Sequence, residues 1–283
     1  MEFEILVLVL SAALLHGAWN LLLKRSIDRL VSLAILHTVP ALLLLPPALF
    51  WLPTPHLESW PHIFASMVLH IGYNLFLIQA YAHGDLGQVY PIARGSAPLL
   101  TSVLAALVIQ EPLRLEEQLG ILLISLGIFS LIFRRGNASV LSRQGVLYAL
   151  GTGAFIASYT VVDGTGVRLS GNEFSYIAWL CISESPPSLL LAWWGRRQEL
   201  WPQMRQVGPQ GALAGVMSST AYGMVIVAMA HAPVSLVASV RETSVVLTPL
   251  LGVLLLKERF EPQRLLAAVL VLLGLLAMRF PVG

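Results

Sequence analysis

Two arginines, Arg94 and Arg241, stand inside runs that are otherwise almost wholly apolar. A charge at that depth costs a few kcal/mol, about 3 on the insertion-based scale, so each must face protein or water rather than lipid. The chemistry open to such a group is pairing with an anion. Each could meet an anionic substrate group or anchor a gate, or tie structurally to carbonyls or to a carboxylate such as Glu184 or Asp163. Tyr90 and Ser244 belong to the same two stretches and are counted with the arginines as binding candidates. Glu242 directly follows Arg241, and adjacent helical residues do not share a face, so it is expected to lie with Ser235 and Ser239. A buried carboxylate there could carry a coupling proton, as could Glu184, Asp163 or, through its imidazole, His16.

Polar stripes at helical spacing supply the remaining candidates. His16, Asn20 and Lys24 fall four apart, with Trp19 beside them. His70, Tyr73 and Asn74 form a second group, Thr152, Tyr159 and Asp163 a third, and Tyr176, Trp179, Ser183 and Glu184 a fourth. Ser218, Ser219 and Tyr222 form a fifth. Two strong polar groups on one stripe imply a wet or ligand-facing surface. The alternative is purely structural: histidine and asparagine tie helices together, Lys24 snorkels to the headgroups, and Tyr159 and Trp179 simply pack. Trp51 and Trp194 read as interfacial anchors.

The elements that must carry these stripes are membrane helices. Hydrophobic residues make up 57% of the chain and charged ones 11%, against roughly 25% charged in soluble domains. Apolar runs of the ~20 residues needed to cross a bilayer recur throughout. They predict ten spans, at 3–23, 31–52, 63–82, 86–109, 117–133, 145–162, 174–194, 208–230, 235–256 and 264–278. Prolines at 91, 98, 233 and 249 would free backbone carbonyls near the polar stripes. The fifth and tenth spans are nearly free of polar groups, and Gly120, Gly127, Gly274, Ala267 and Ala268 suit them to close packing as scaffold. The amino terminus, Met-Glu-Phe-Glu, is acidic where a secretory leader is basic, so the first span is expected to be retained. The single cysteine, Cys181, excludes a disulfide framework and a cysteine-based metal site.

The stretch at 80–112 is echoed from Ala228 onward: His83 matches His231, Arg94 matches Arg241 and Glu111 matches Glu258. Repetition of both hydropathy and rare charges marks a duplication, with units at 1–136 and 143–283 joined by the polar segment 134–144. An odd number of spans per unit makes the second copy enter the membrane from the opposite face. The fold expected is therefore an all-α polytopic membrane protein, with ten transmembrane helices as two inverted five-helix repeats.

The paired segments LTSVLAALVIQEPLRLEEQLGILLISLGI and LTPLLGVLLLKERFEPQRLLAAVLVLLGL, with LLHGAWNLLLKRS in the first span, resemble the EamA type of the drug/metabolite transporter superfamily. The resemblance covers the whole chain. It implies a central cavity lined by spans 1, 3 and 4 and by 6, 8 and 9, with 2 and 7 moving alongside and 5 and 10 bracing the back. It implies a secondary active transporter working by alternating access in the bacterial cytoplasmic (inner) membrane. The small four-helix multidrug members carry a carboxylate in the middle of the first span; this chain has His16 there. That departure, with the two arginines, favours a zwitterionic or anionic metabolite such as an amino acid or a phosphonate-like compound. The alternative is a proton-coupled multidrug or cation exporter.

An intramembrane enzyme acting on a lipid-linked substrate is the competing class. The chain has no HExxH, no paired membrane aspartates and no local Ser/Lys or Cys/His pairing to support it. No phosphate-cradling loop is present for ATP. The partners expected are a small-molecule substrate, the lipid bilayer and protons, with no cofactor, metal or nucleic acid. A fused pair of repeats makes a functional monomer the default. Twelve Lys and Arg residues, from Lys24 to Arg264, fall on one side of this topology, against Arg114, Arg168 and Arg279 on the other. The positive-inside rule then puts both termini outside the cytoplasm, whereas the resemblance implies both inside for many members.

Overall fold

A computed structural model describes residues 1–23, 29–132, 142–196, 200–248 and 262–279. Among these the chain is helical, with no strand. The helices are α1 (Phe3–Leu23), α2 (Arg29–Phe50), α3 (Trp60–His83), α4 (Leu86–Val108) and α5 (Leu115–Ser130), followed by α6 (Arg143–Leu169), α7 (Glu173–Arg196), α8 (Leu200–His231), α9 (Val234–Arg241) and α10 (Pro262–Arg279). Six of them, α1 to α4, α6 and α8, are long and apolar enough among the described residues to cross a membrane. Their exteriors agree with that: Phe50 on α2 is 77% exposed and Leu107 on α4 74% exposed, a surface that lipid tolerates and water does not. The protein is a multi-pass membrane protein.

Polar residues punctuate the ends. Asp85 begins α4 by accepting the amide of Gly87 at 2.7 Å, and Asn172 precedes α7 by accepting the amide of Ser175 at 2.9 Å. At the far end of α4, Gln110 takes a left-handed φ of 54°, which turns the chain so that the Glu111 amide reaches the Ala105 carbonyl at 3.2 Å.

Three helices depart from the sequence expectation. α6 continues seven residues past position 162, so Asp163 lies inside a helix rather than at its end. Gly164 and Gly166 lie in this extension and give close approach. A β-carbon on Gly164 would come within 2.4 Å of Val234, and one on Gly166 within 2.5 Å of the Tyr176 hydroxyl. α8 starts at Leu200, inside the segment expected to link the seventh and eighth spans, because Leu200 is buried with Val31, Ala34 and Ala192. α9 is not continuous across 235–256. It stops at Arg241, Glu242 and Thr243 form a turn, and helix resumes at 244–248; positions 249–256 lie outside the described residues. Amides 243, 245 and 246 bond to carbonyls three residues back, the tighter 3-10 pattern that interrupts an α-helix.

Packing places α3 and α4 against α6, α1 against α8 and α9, α2 against α7 and α8, and α4 against α9. α5 packs on α10 through glycine. The Gly120 and Gly274 backbones approach so closely that a β-carbon on either would stand 2.7 Å from the other's carbonyl oxygen.

Candidate functional site

Between these helices lies a cavity of about 760 Å³. α1 contributes His16, Trp19 and Asn20, α3 His70, Tyr73 and Asn74, and α4 Tyr90 and Arg94. Tyr159 comes from α6, Glu184 from α7, Ser219 and Tyr222 from α8, and Arg241 from α9. The other candidates stand behind this wall. Thr152 is buried and bonds to the Tyr148 carbonyl at 2.7 Å, and Trp179 packs against Trp60 with ring centroids 5.1 Å apart. Lys24 is outside the described residues.

The two arginines meet. Arg94 Nε lies 2.8 Å from one oxygen of Glu242, and Arg241 Nη2 lies 3.0 Å from the other. All three are nearly sealed, Arg94 and Arg241 at 5% exposure and Glu242 at 1%. This corrects two expectations. The arginine partner is neither Glu184 nor Asp163, and Glu242 does pair with its own neighbour. The turn at Glu242–Thr243 ends the regular α-helix in which adjacent side chains diverge, and the guanidinium is long enough to fold back. Arg94 also donates toward Ser244 Oγ and His16 Nε2, each at 3.3 Å. A guanidinium only donates, so His16 accepts through Nε2 and its neutral ring carries hydrogen on Nδ1. Asn20 bonds back to the His16 carbonyl at 2.7 Å, holding that turn of α1.

Aromatic rings connect this wall to the next. The Arg241 guanidinium carbon is 5.9 Å from the Tyr159 and Tyr222 ring centroids, within cation–π range. Tyr159 stacks on His70 at 4.0 Å. Asp163 is fully buried behind them and accepts from the hydroxyls of Tyr176, at 2.9 Å, and Tyr222. It thereby fixes the orientation of a cavity-lining phenol. Tyr176 is completely buried and meets the site through its bond to Asp163.

Sequence reasoning missed His37 on α2, which lines the cavity and lies 3.6 Å from Glu184. The available signal was a lone imidazole in an apolar run, in a span whose other polar residues formed no stripe. Glu184 also contacts His70 at 3.1 Å.

The cavity wall reaches Tyr81, Asp85 and Gly87 at the α3–α4 end of the molecule. The opposite end is tied shut. Glu111 holds Arg168 at 2.7 Å and the Val234 amide at 2.8 Å, while Arg168 donates to the carbonyls of Met229 and Ala232 at 2.9 Å. His231 and Glu173 meet at 2.8 Å on the same end.

Comparison with known proteins adds family to geometry. Residues 4–133 and 143–280 match the EamA-like transporter family. The chain is similar to the uncharacterized transporter YwfM of Bacillus subtilis (strain 168), with 24% identity over 220 residues, covering 78% of this chain and 73% of that protein. A solved crystal structure with 19% sequence identity superposes with a TM-score of 0.77 over 99% of each chain, which establishes a shared fold.

Proposed function

Because the chain belongs to the EamA-like transporter family, we propose that it is a secondary active transporter. It carries a small zwitterionic or anionic metabolite, such as an amino acid or a phosphonate-like compound, across the bacterial inner membrane. The working unit is a monomer of ten spans in two inverted five-helix repeats, without enzymatic activity, cofactor or metal.

The contact pattern supports the inverted repeat. Exchanging each helix for the one five places away turns α3–α6 into α8–α1, α4–α6 into α9–α1 and α2–α8 into α7–α3, and all six pairs are in contact. The pairs α2–α7, α4–α9 and α5–α10 map onto themselves. A cavity reaching one end, with the other end tied by Glu111 and Arg168, is the asymmetry that alternating access requires.

The observation that carries the substrate class is Arg94–Glu242–Arg241. Two guanidinium groups share one carboxylate, so the cavity wall holds an excess positive charge contributed jointly by both repeats. An anionic group meeting that wall gains charge-assisted hydrogen bonds in a poorly hydrated setting. At the other side of the Tyr159–His70 stack stands Glu184, which suits the positive end of a zwitterion. A cation-exporting reading draws on the same Glu184 and the faces of Tyr73, Tyr159 and Tyr222.

A thermal-shift screen of the purified protein against amino acids, phosphonates, nucleosides and lipophilic cations separates the readings. An anionic or zwitterionic compound is expected to raise the unfolding temperature of wild type, and folded Arg94→Gln and Arg241→Gln to lose that response. Stabilisation by lipophilic cations alone, unchanged in both variants, would overturn the substrate class.

A further inference from the structure

Glu184 projects from α7 between two histidines on other helices. One oxygen lies 3.1 Å from His70 Nδ1 on α3, and the other 3.6 Å from His37 Nδ1 on α2. The partners settle where the ring hydrogens are. His70 Nδ1 is 2.9 Å from the Ser66 carbonyl, which can only accept, so that nitrogen carries hydrogen. The Ser188 hydroxyl donates to the Glu184 carbonyl at 2.8 Å, which leaves it to accept from His37 Nδ1 at 3.2 Å. Both N–H groups are therefore spent on serine oxygens, and the Glu184 oxygen nearer His70 is buried without a hydrogen bond.

Such an arrangement has two states. An ionised carboxylate leaves that buried oxygen as a charged acceptor with no donor. When a proton binds, the charge is gone and the carboxyl gains an O–H donor beside the His37 and His70 rings. Those rings belong to α2 and α3, so proton binding changes the charge that α7 presents to both helices.

The other acidic groups near the cavity are already engaged. Glu242 is shared by the two arginines, Asp163 by two tyrosine hydroxyls, and Asp85 caps α4. Glu184 lines the cavity with two histidines beside it and, among the described residues, no arginine in contact. The groups around it are His37 from α2, His70 from α3 and Asp163 from α6, with Tyr176 and Cys181 on its own helix, while Tyr159, Tyr222 and Arg241 line the same cavity. Through the His70–Tyr159 stack it is also linked to Arg241.

We propose that Glu184, held between His37 and His70, is the proton-binding site that couples a proton gradient to movement of the substrate. The reaction is simple protonation of the carboxylate, and no redox or group-transfer partner is needed. The proposal rests on the transporter reading above.

Two measurements on the full-length protein in detergent test it without any substrate. In infrared difference spectra between alkaline and acidic buffer, wild type is expected to show a carboxylic C=O band that Glu184→Gln lacks and Glu184→Asp retains. His70→Asn, which keeps an N–H donor at reduced reach, is expected to shift that band, and it keeps the test readable should Glu184→Gln fail to fold. Cys181 provides the second readout, because it is the sole cysteine, lines the cavity and sits one turn before Glu184. The ratio of its maleimide alkylation rate in wild type to that in Glu184→Gln cancels the intrinsic titration of the thiol. The ratio is expected to approach one in acid and diverge in alkali. Identical spectra for wild type and Glu184→Gln, or a ratio independent of pH, overturn the proposal. A failed ligand screen leaves these results standing, and a silent Glu184 leaves the transport reading standing.

Discussion

At the scale of single residues, the ion triad decides how each substitution behaves. Removing either arginine leaves one guanidinium with one carboxylate, a compensated pair. Removing Glu242 leaves two like charges buried together, Arg94 and Arg241 at 5% exposure each. Breaking a buried pair costs about 3–5 kcal/mol when an uncompensated charge remains. Glu242→Gln is therefore expected to destabilise more than Arg94→Gln, in thermal or denaturant unfolding in detergent. The double variant Arg94→Gln/Glu242→Gln is expected to recover part of the loss, because one orphaned charge goes with its partner. Equal costs for the two single changes, simply adding in the double, would show that the three groups do not act as a unit.

Helices and their contacts set the next scale. The α5–α10 seam depends on the missing side chains of Gly120 and Gly274. Alanine at 274 would put a β-carbon 2.7 Å from the Gly120 carbonyl oxygen, which belongs to backbone and cannot swing aside. Gly274→Ala should cost roughly 1–3 kcal/mol by overpacking. Gly208→Ala, with nothing within 4 Å of its β-carbon, should gain up to about 1 kcal/mol from helix propensity. The pair of melting curves checks the contrast. At the tied end, Glu111 accepts the first amide of α9 as well as Arg168. In Glu111→Ala, amide hydrogen exchange across 234–237 should quicken by the equivalent of about 0.5–2 kcal/mol, the range of a lost helix cap, with α5 unchanged. Unaltered exchange there would remove Glu111 from the closure of that end.

For the whole molecule, the distribution of basic residues predicts orientation. Arg143, Arg196 and Arg264 sit at the α6, α7 and α10 ends that share the face of the α3–α4 connection, toward which the cavity reaches. The positive-inside rule makes that face cytoplasmic. The cavity then reaches toward the cytoplasm, and the end tied by Glu111 and Arg168 faces outward. A periplasm-dependent phosphatase fused after Gly283 should be active, and a cytoplasm-dependent fluorescent protein there should be dark. The opposite pair of signals would reverse the orientation and, with it, the direction in which this conformation is open.

Much of this was legible in one dimension. Bilayer-length apolar runs and sparse charge define a polytopic membrane protein, and the doubled pattern around Glu111 and Glu258 carries the family, because hydropathy and rare charges are local properties of the chain. The candidate wall was partly legible for the same reason: stripes such as His16–Asn20 and His70–Asn74 report one helix face at a time. What only the tertiary structure decided is which stripe meets which. The approach of Arg94 to His16 spans 78 positions and that to Ser244 spans 150. Both depend on how each helix is rotated about its axis, which periodicity leaves free. The pairing of Arg241 with Glu242 needed a break in α9 that an apolar run does not announce. The approach of His37 and His70 to Glu184 needed three helices from both halves of the chain to converge, and no spacing within any one of them encodes that contact.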